Sequence, residues 1–376
     1  MKTMEEMYYY WLHNVLGIGR KTFQKILQHM TPKELYESNA EELKDILTEK
    51  QRTEILESKN RWELQKEWEC LKRRNINLLM YGDKNYPEKL SQINDAPPVL
   101  YQKGKQDILA KPSIAVIGAR ACSHYGRLAA EELGRELAKM GIVVVSGMAR
   151  GIDSICQWTS LESGGESVGV LGSGVEVCYP PENRKLFERL QKEGCLLSEN
   201  PPFMGPSAGL FPLRNRIISG LSDLVVVVEA REKSGTLITV DMALEQGKEV
   251  YAMPGRINDS VSRGCNKLIK QGAGMILSPQ EFLEEICPIL QLKYPSGQVD
   301  KQEILSLTET KILEFIGTSF KTMEDIFQEM RRQNLEHSLT NVMETVLNLQ
   351  MKKIITGDGG YYFCNKIPVV TGERRC

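Results

Sequence analysis

Histidine and paired cysteine are what this sequence has least of. Its 376 residues include four scattered histidines, His13, His29, His124 and His337. The nine cysteines form no CxxC pair and show no regular spacing. That argues against a zinc site or a disulfide framework and favours buried thiols in a reducing compartment. The N-terminal "MKTMEEMYYYW" has no signal-peptide apolar segment, and no apolar run approaches the roughly 20 residues that span a bilayer. The expectation is a cytoplasmic protein without membrane contact. An excess of one charge is missing too, since 48 Lys and Arg face 49 Asp and Glu, a formal net charge of −1. This opposes a histone-like coat of positive charge. It leaves room for a local basic pocket, because binding depends on where charge sits rather than on its sum.

What is present divides into segments. Residues 1–75 read as helical, with two amphipathic helices joined at "LGIG". Gly17 and Gly19 permit a tight turn there, and Arg20 and Lys21 open the next helix. This is the chemistry of a helix-hairpin-helix that holds a phosphate, or of a plain hairpin used for packing. Residues 76–290 alternate strands and helices. Strands are predicted at "INLLM", "SIAVIG", "IVVVSG", "SVGVLG", "CLLSE", "DLVVVVEA", "EVYAMPG" and "GMILS". Several are continuous β-branched runs, as parallel strands buried on both faces require. The fold class is therefore α/β, a Rossmann-like doubly wound, mostly parallel sheet with its ligand beyond the strands' C-terminal ends. A linker follows at 291–305. Three helices and a hairpin turning at Gly357-Asp358-Gly359-Gly360 then predict a winged helix over 306–367, with a tail at 368–376. The third of these helices exposes few basic residues, so a protein-contact role is at least as reasonable as DNA binding.

Nearly every strand of the middle segment runs into a small-residue loop. These are "GARACS" (118–123, with Gly118 and Arg120), "SGMARGID" (146–153, with Ser146, Gly147, Arg150 and Gly151) and "GSG" (Gly172, Ser173, Gly174). Two more follow at "KSGT" (Lys233, Ser234, Gly235, Thr236) and "PGR" (254–256). Small residues let phosphates approach the backbone, and helix N-termini supply N–H groups. Five such loops on one sheet edge predict an anion site. The nucleotide fingerprints are nonetheless absent. The first loop has one glycine where G-x-G-x-x-G needs three, the second strand ends in Ser146 rather than an acid, and no G-x-x-x-x-G-K-[ST] occurs. Arg120, Arg150, Lys233 and Arg256 lie in or beside the loops. Arg214, Asn215 and Arg216 lie in "FPLRNRIISG", read as a phosphate-facing wall in which at least one arginine is structural. Tyr179 and Phe211 are candidate platforms for unpaired bases, with core packing as the alternative for either ring.

The motifs "VIGARACSHYG", "VVSGMARGID", "GVLGSGVEVCYPPENRKLF", "FPLRNRIISGLSDLVVVVEAREKSGTLITVDMALEQGKEVYAMPG" and "SRGCNKLIKQGA" occur in the order and spacing of the bacterial DNA-processing protein A family, also called Smf. The chain resembles that family over roughly residues 80–275. The resemblance implies a domain that binds single-stranded DNA and helps the RecA recombinase onto it during natural transformation. It also implies a homodimer. By motif matching it places the family's first-loop arginine on Arg120 and phosphate contacts on the "SGMARGID" and "LGSG" loops. "YPPENRKL" would add Asn183 and Lys185, and "KSGT" would add Lys233 and Ser234. One departure is Cys156-Gln157, where the family usually shows Ala-His. Two competing readings are a phosphoribohydrolase-like nucleotide enzyme and a protein adaptor with a vestigial pocket. The enzyme reading lacks its acid, since Thr239 stands where a glutamate is needed. Neither catalysis nor a cofactor is expected.

Overall fold

The β-branched runs form the centre of a nine-stranded sheet. A computed structural model describes residues 2–39, 41–294, 305–317, 319–352 and 354–364. Residues 295–304 of the expected linker, the tail 368–376 and the last residues of the expected winged helix, 365–367, lie outside the described residues. The strands are β1 (Ile76–Met80), β2 (Val99–Gly104), β3 (Ser113–Ile117), β4 (Val143–Ser146) and β5 (Ser167–Val170). They continue with β6 (Cys195–Ser198), β7 (Leu224–Val227), β8 (Glu249–Ala252) and β9 (Gly274–Met275). Their order across the sheet is β1-β2-β6-β5-β4-β3-β7-β8-β9. From β6 to β9 all neighbours pair in parallel, while β2 runs antiparallel to both β6 and β1.

Burial on both faces explains the unbroken apolar runs. Ala115, Ile117, Val145 and Val225 point into one layer of core, and Ile114, Val116, Val144 and Val226 into the opposite one. Each fully buried valine or isoleucine contributes roughly 1.5–3 kcal/mol by leaving water. All eight predicted strands are present, and β2 is an addition. Its Gln102 interrupts the apolar signature but is wholly buried. The side-chain carbonyl of Gln102 accepts from Asn77 Nδ2 at 2.8 Å, and its Nε2 donates to the Gly104 carbonyl at 2.7 Å.

The N-terminal helices are Lys2–Asn14, Arg20–His29, Pro32–Glu37, Glu49–Arg61 and Leu64–Arg73. Thr31 and Thr48 each begin a helix with a reciprocal capping box. These helices do not stop at residue 75 as a packing unit. Trp11, Phe23, Ile55 and Trp68 share one core cluster with Ile76, Leu78, Met80 and Tyr101 of β1 and β2. The Tyr101 hydroxyl lies 3.0 Å from His13 Nδ1, and burial takes His13 down to about 4. The expected boundary at 75/76 therefore cuts through a common core. A chain starting at residue 76 exposes the β1 and β2 face and is expected to elute as aggregate on size exclusion. A monodisperse, cooperatively melting truncation would show that the helices are dispensable to the sheet.

Residues 307–364 hold helices Leu307–Ile316, Met323–Arg332 and Leu339–Met351 and a small sheet of β10 (Lys321–Thr322), β11 (Ile355–Asp358) and β12 (Tyr361–Cys364). β11 and β12 meet at Gly359 and Gly360, both at positive φ, the backbone that a two-residue hairpin turn demands. Among the described residues no helix is long and apolar enough to cross a membrane.

Candidate nucleic-acid interface

The strand order reverses at β3. The chain passes β3, β4, β5 and β6 to one side, then returns to place β7, β8 and β9 on the other. In such a sheet the crevice beyond the strand ends at the reversal is the ligand position. The small-residue loops all leave that edge, and they lean on one another. Gly151 has φ +75°, and a Cβ there would stand 2.2 Å from the Ala119 carbonyl oxygen. A Cβ on Gly147 would stand 2.4 Å from the Arg214 guanidinium. Both glycines are therefore set by close approach.

The loop after β4 is satisfied from within. Asp153 accepts from the N–H of Gly147 at 3.2 Å and of Ala149 at 3.4 Å. Gln157 accepts from the Met148 N–H at 3.2 Å. Asn183 Nδ2 donates to the carbonyls of Met148 and Ala149 at 2.8 and 3.3 Å. Arg214 Nη1 donates to the Gly147 carbonyl at 2.7 Å and also to the Val170 carbonyl. Every main-chain polar group from Gly147 to Ala149 thus has an internal partner, which corrects the expectation that this backbone offers itself to phosphate. What the loop projects outward is Arg150, exposed and paired with the equally exposed Glu182 at 2.5 Å.

Three further expectations change for the same reason. Ser146 donates to the Val116 carbonyl at 2.6 Å and Ser173 to the Val177 carbonyl at 2.9 Å, and both are buried. Arg216 is also buried, bonded to Asp95 at 3.1 Å and to Glu199 at 2.7 Å. Asp95 pairs with Arg20 as well, so the N-terminal hairpin's first arginine already has a counter-ion within the chain. Arg214 is 7% exposed, and burial takes it down to about 10, which leaves it a cation at neutral pH. Burial also lifts the Asp153 carboxyl, against the attraction of Arg214 and the loop amides. Asn215 accepts from Arg214 Nε at 3.2 Å. Both arginines of "FPLRNRIISG" therefore build the scaffold under the loops rather than a wall facing solvent.

Of the helix N-termini that meet this edge, three follow β3, β4 and β7, and two of these are filled. The helix His124–Lys139 is closed by Glu229, which accepts from the Ser123 N–H at 2.8 Å and the Ser123 hydroxyl at 2.5 Å. Burial raises the Glu229 carboxyl despite these bonds. The helix Ile152–Glu162 spends its first amides on the carbonyls of Ala119 and Ala149. The third, Gly235–Glu245, begins at Ser234, which makes no capping bond, and its hydroxyl oxygen is buried without a partner among the described residues. Thr236 ties this turn to the crevice by donating to the Gly118 carbonyl at 3.2 Å. Helix N-termini attract anions, which makes this uncommitted start the candidate anion position of the edge.

Exposed cations lie along the same edge. Arg120, Lys233 and Lys185 are exposed and make no ion pair among the described residues. Arg120 lies close enough to Arg214 to depress the latter's pKa by like-charge repulsion. The rings of Tyr179 and Phe211 stand 5.4 Å apart at 35°, and Phe211 covers the buried Gly172. Gly174 is buried against the carbonyls of Pro201 and Pro202. Gly235 is exposed at the start of its helix. Sequence reasoning missed Phe203 and Leu213, which are 55% and 50% exposed; the Arg74 guanidinium lies 4.8 Å from the centre of the Phe203 ring. The run "NPPFMGPSAG" carried the signal for Phe203, since an aromatic ring in a Pro- and Gly-rich loop has no strand or helix in which to bury.

Burial raises the thiols of Cys122, Cys156, Cys178 and Cys265, so none is a poised nucleophile. Thr239, at the place of a phosphoribohydrolase acid, is buried. Among the described residues no cluster of His, Cys, Asp or Glu is arranged to hold a metal ion.

Known proteins resemble the chain in this same region. The family described as DNA recombination-mediator protein A matches residues 77–287. DNA processing protein DprA of Bacillus subtilis is 43% identical over 212 residues, 56% of this chain and 71% of the relative. The structure of DNA processing protein A from Streptococcus pneumoniae aligns with a TM-score of 0.64 at 34% identity, covering 74% of this chain and 97% of that one. The Helicobacter pylori protein, described for its single-stranded DNA binding mode, aligns at 0.53 with 31% identity, over 57% of this chain and 96% of its own. With more than half its length matched to the family, the chain belongs to the DNA recombination-mediator protein A family.

Proposed function

We propose that the chain binds single-stranded DNA along the loop edge and helps load the RecA recombinase onto it during natural transformation. The observation that carries the DNA reading is the empty-handed Ser234 hydroxyl at the start of Gly235–Glu245, flanked by Arg120 and Lys233, which make no ion pair among the described residues. Ser234, Lys233, Arg120, Arg150 and Lys185 hold backbone phosphates, while Tyr179, Phe211 and Phe203 offer ring faces to unstacked bases. Stacking favours the single strand, because a duplex keeps its bases turned inward. The RecA step rests on the chain's family of recombination mediators. A homodimer would set two such edges on one assembly and raise the effective concentration of the second contact.

We read the C-terminal helices and hairpin as a winged helix that contacts protein. Its third helix buries Val342, Val346 and Leu349 and displays Leu339, Met343, Leu347 and Met351, with Glu344 as its one charged residue. A surface of that kind has nothing with which to neutralise phosphate.

The test is an anisotropy titration of oligo-dT and of an equal-length duplex over a salt series. Four phosphate contacts on a single strand give a log–log slope near −3, from about 0.7 per contact. Binding is expected to favour oligo-dT. Absence of binding at low salt would overturn the reading.

A further inference from the structure

The surroundings of Gln157 assign it a task. It is wholly buried in the helix Ile152–Glu162, under the loop that follows β4. Its Nε2 donates to Ser167 Oγ and to the Val168 carbonyl, both at 3.0 Å, and both acceptors belong to β5. Ser167 is itself fixed, donating to the Val144 carbonyl of β4 at 2.7 Å. The amide plane is thereby oriented by the sheet, and its oxygen is left to face the loop. There it accepts from the Met148 N–H.

Met148 is the residue of this loop that needs such help. Its φ is +54°, the left-handed region that a residue with a Cβ adopts only when its surroundings over-determine it. Two residues later the chain turns out to Arg150. The Met148 N–H is the one main-chain donor of Gly147–Ala149 that Asp153 does not take.

From this geometry we infer that Gln157 is a positioning residue, which sets the loop Gly147–Arg150 and through it aims the Arg150 guanidinium at the strand. The inference rests on the DNA reading above. A side chain at 157 must accept at one end and donate at the other. Glutamine does so with its carbonyl and amino group, and a neutral imidazole does so with its two ring nitrogens. Methionine has nearly the same length and does neither well.

The experiment compares Gln157→Met, Gln157→His, Arg150→Ala and the double variant Gln157→Met/Arg150→Ala. Oligo-dT affinity across salt is read alongside amide hydrogen exchange of the loop. In Gln157→Met the salt slope is expected to fall by about 0.7, one phosphate, to match Arg150→Ala. The double variant should lose no more than either single one. Gln157→His should restore the slope, and the Met148 amide, protected in the parent protein, should exchange rapidly in Gln157→Met. A general loss of stability would lower the melting temperature without changing the slope. Parental slope and parental Met148 protection in a folded Gln157→Met protein would overturn the inference, and so would losses that add fully with Arg150→Ala. If Gln157→Met does not fold, Gln157→Asn replaces it, since an amide one methylene shorter cannot span from the acceptors on β5 to the Met148 N–H. No oligo-dT binding by the parent protein would sink the DNA reading instead. The exchange result at Met148 would then decide the positioning role alone.

Discussion

Arg214→Met is expected to destabilise the protein by about 3–5 kcal/mol, the range seen when one partner of a buried charged network is removed. The side chain of Arg214 has almost no access to water, and its guanidinium bonds the carbonyls of Gly147 and Val170. Those carbonyls end β4 and β5. The guanidinium also attracts the buried Asp153, which holds the amides of the same loop. Methionine fills much of the volume but leaves two carbonyls and a carboxylate without their counterpart. Lysine should rescue little, because a point charge on a flexible stem cannot reproduce a planar fork of donors. Adding Asp153→Asn to Arg214→Met should recover part of the loss by removing the stranded charge. Urea unfolding followed by circular dichroism measures all three. A loss below 1 kcal/mol for Arg214→Met would mean that the loops do not depend on this bridge.

The second large effect concerns binding with the fold untouched. Arg120→Ala combined with Lys233→Ala should cost about 25-fold in oligo-dT affinity at 0.1 M salt and almost nothing at 1 M. This follows from two contacts of about 0.7 each in the log–log slope. Both side chains are exposed, and neither makes an ion pair among the described residues, so the melting temperature should stay where it was. Lys50→Ala, an exposed cation on the helix Glu49–Arg61, serves as the control and should change neither quantity. An unchanged slope in the double variant would remove both residues from the interface.

The contrast between these two sets of arginines marks what the sequence makes legible. Strand positions followed from runs such as "DLVVVVEA", because burial on both faces leaves no other pattern. The positions of the loops followed from glycines at strand ends, but not their chemistry, since Gly147 and Gly151 serve close packing. The orientation of "FPLRNRIISG" did not follow. Arg214 and Arg216 lie two positions apart on the helix Leu210–Leu221 and so point to nearly opposite sides of it. That helix is covered on both sides, by the loops after β4 and β5 and by Asp95 with Glu199. Those carboxylates, like Asp153 for Arg214, lie far away in sequence, so nothing local signals that the charges are already matched. Ser146 and Ser173 hide the same way, behind carbonyls of neighbouring segments. The small-residue motif at Ser234 was legible, but its hydroxyl standing without a partner while Glu229 caps the neighbouring helix is a fact of three dimensions. Strand β2 escaped because one buried glutamine broke the apolar run.

The strand order also fixes when a growing chain can fold. β2 finds β6 only when Ser198 has been made, about a hundred residues after Tyr101, and β3 gains β7 only when Leu224 follows Ile114. At roughly 5–20 residues per second of synthesis, each strand waits about 5–20 s on the ribosome with one edge unpaired. During that interval Val99–Gly104 and Ser113–Ile117 are open to a chaperone or to a wrong partner.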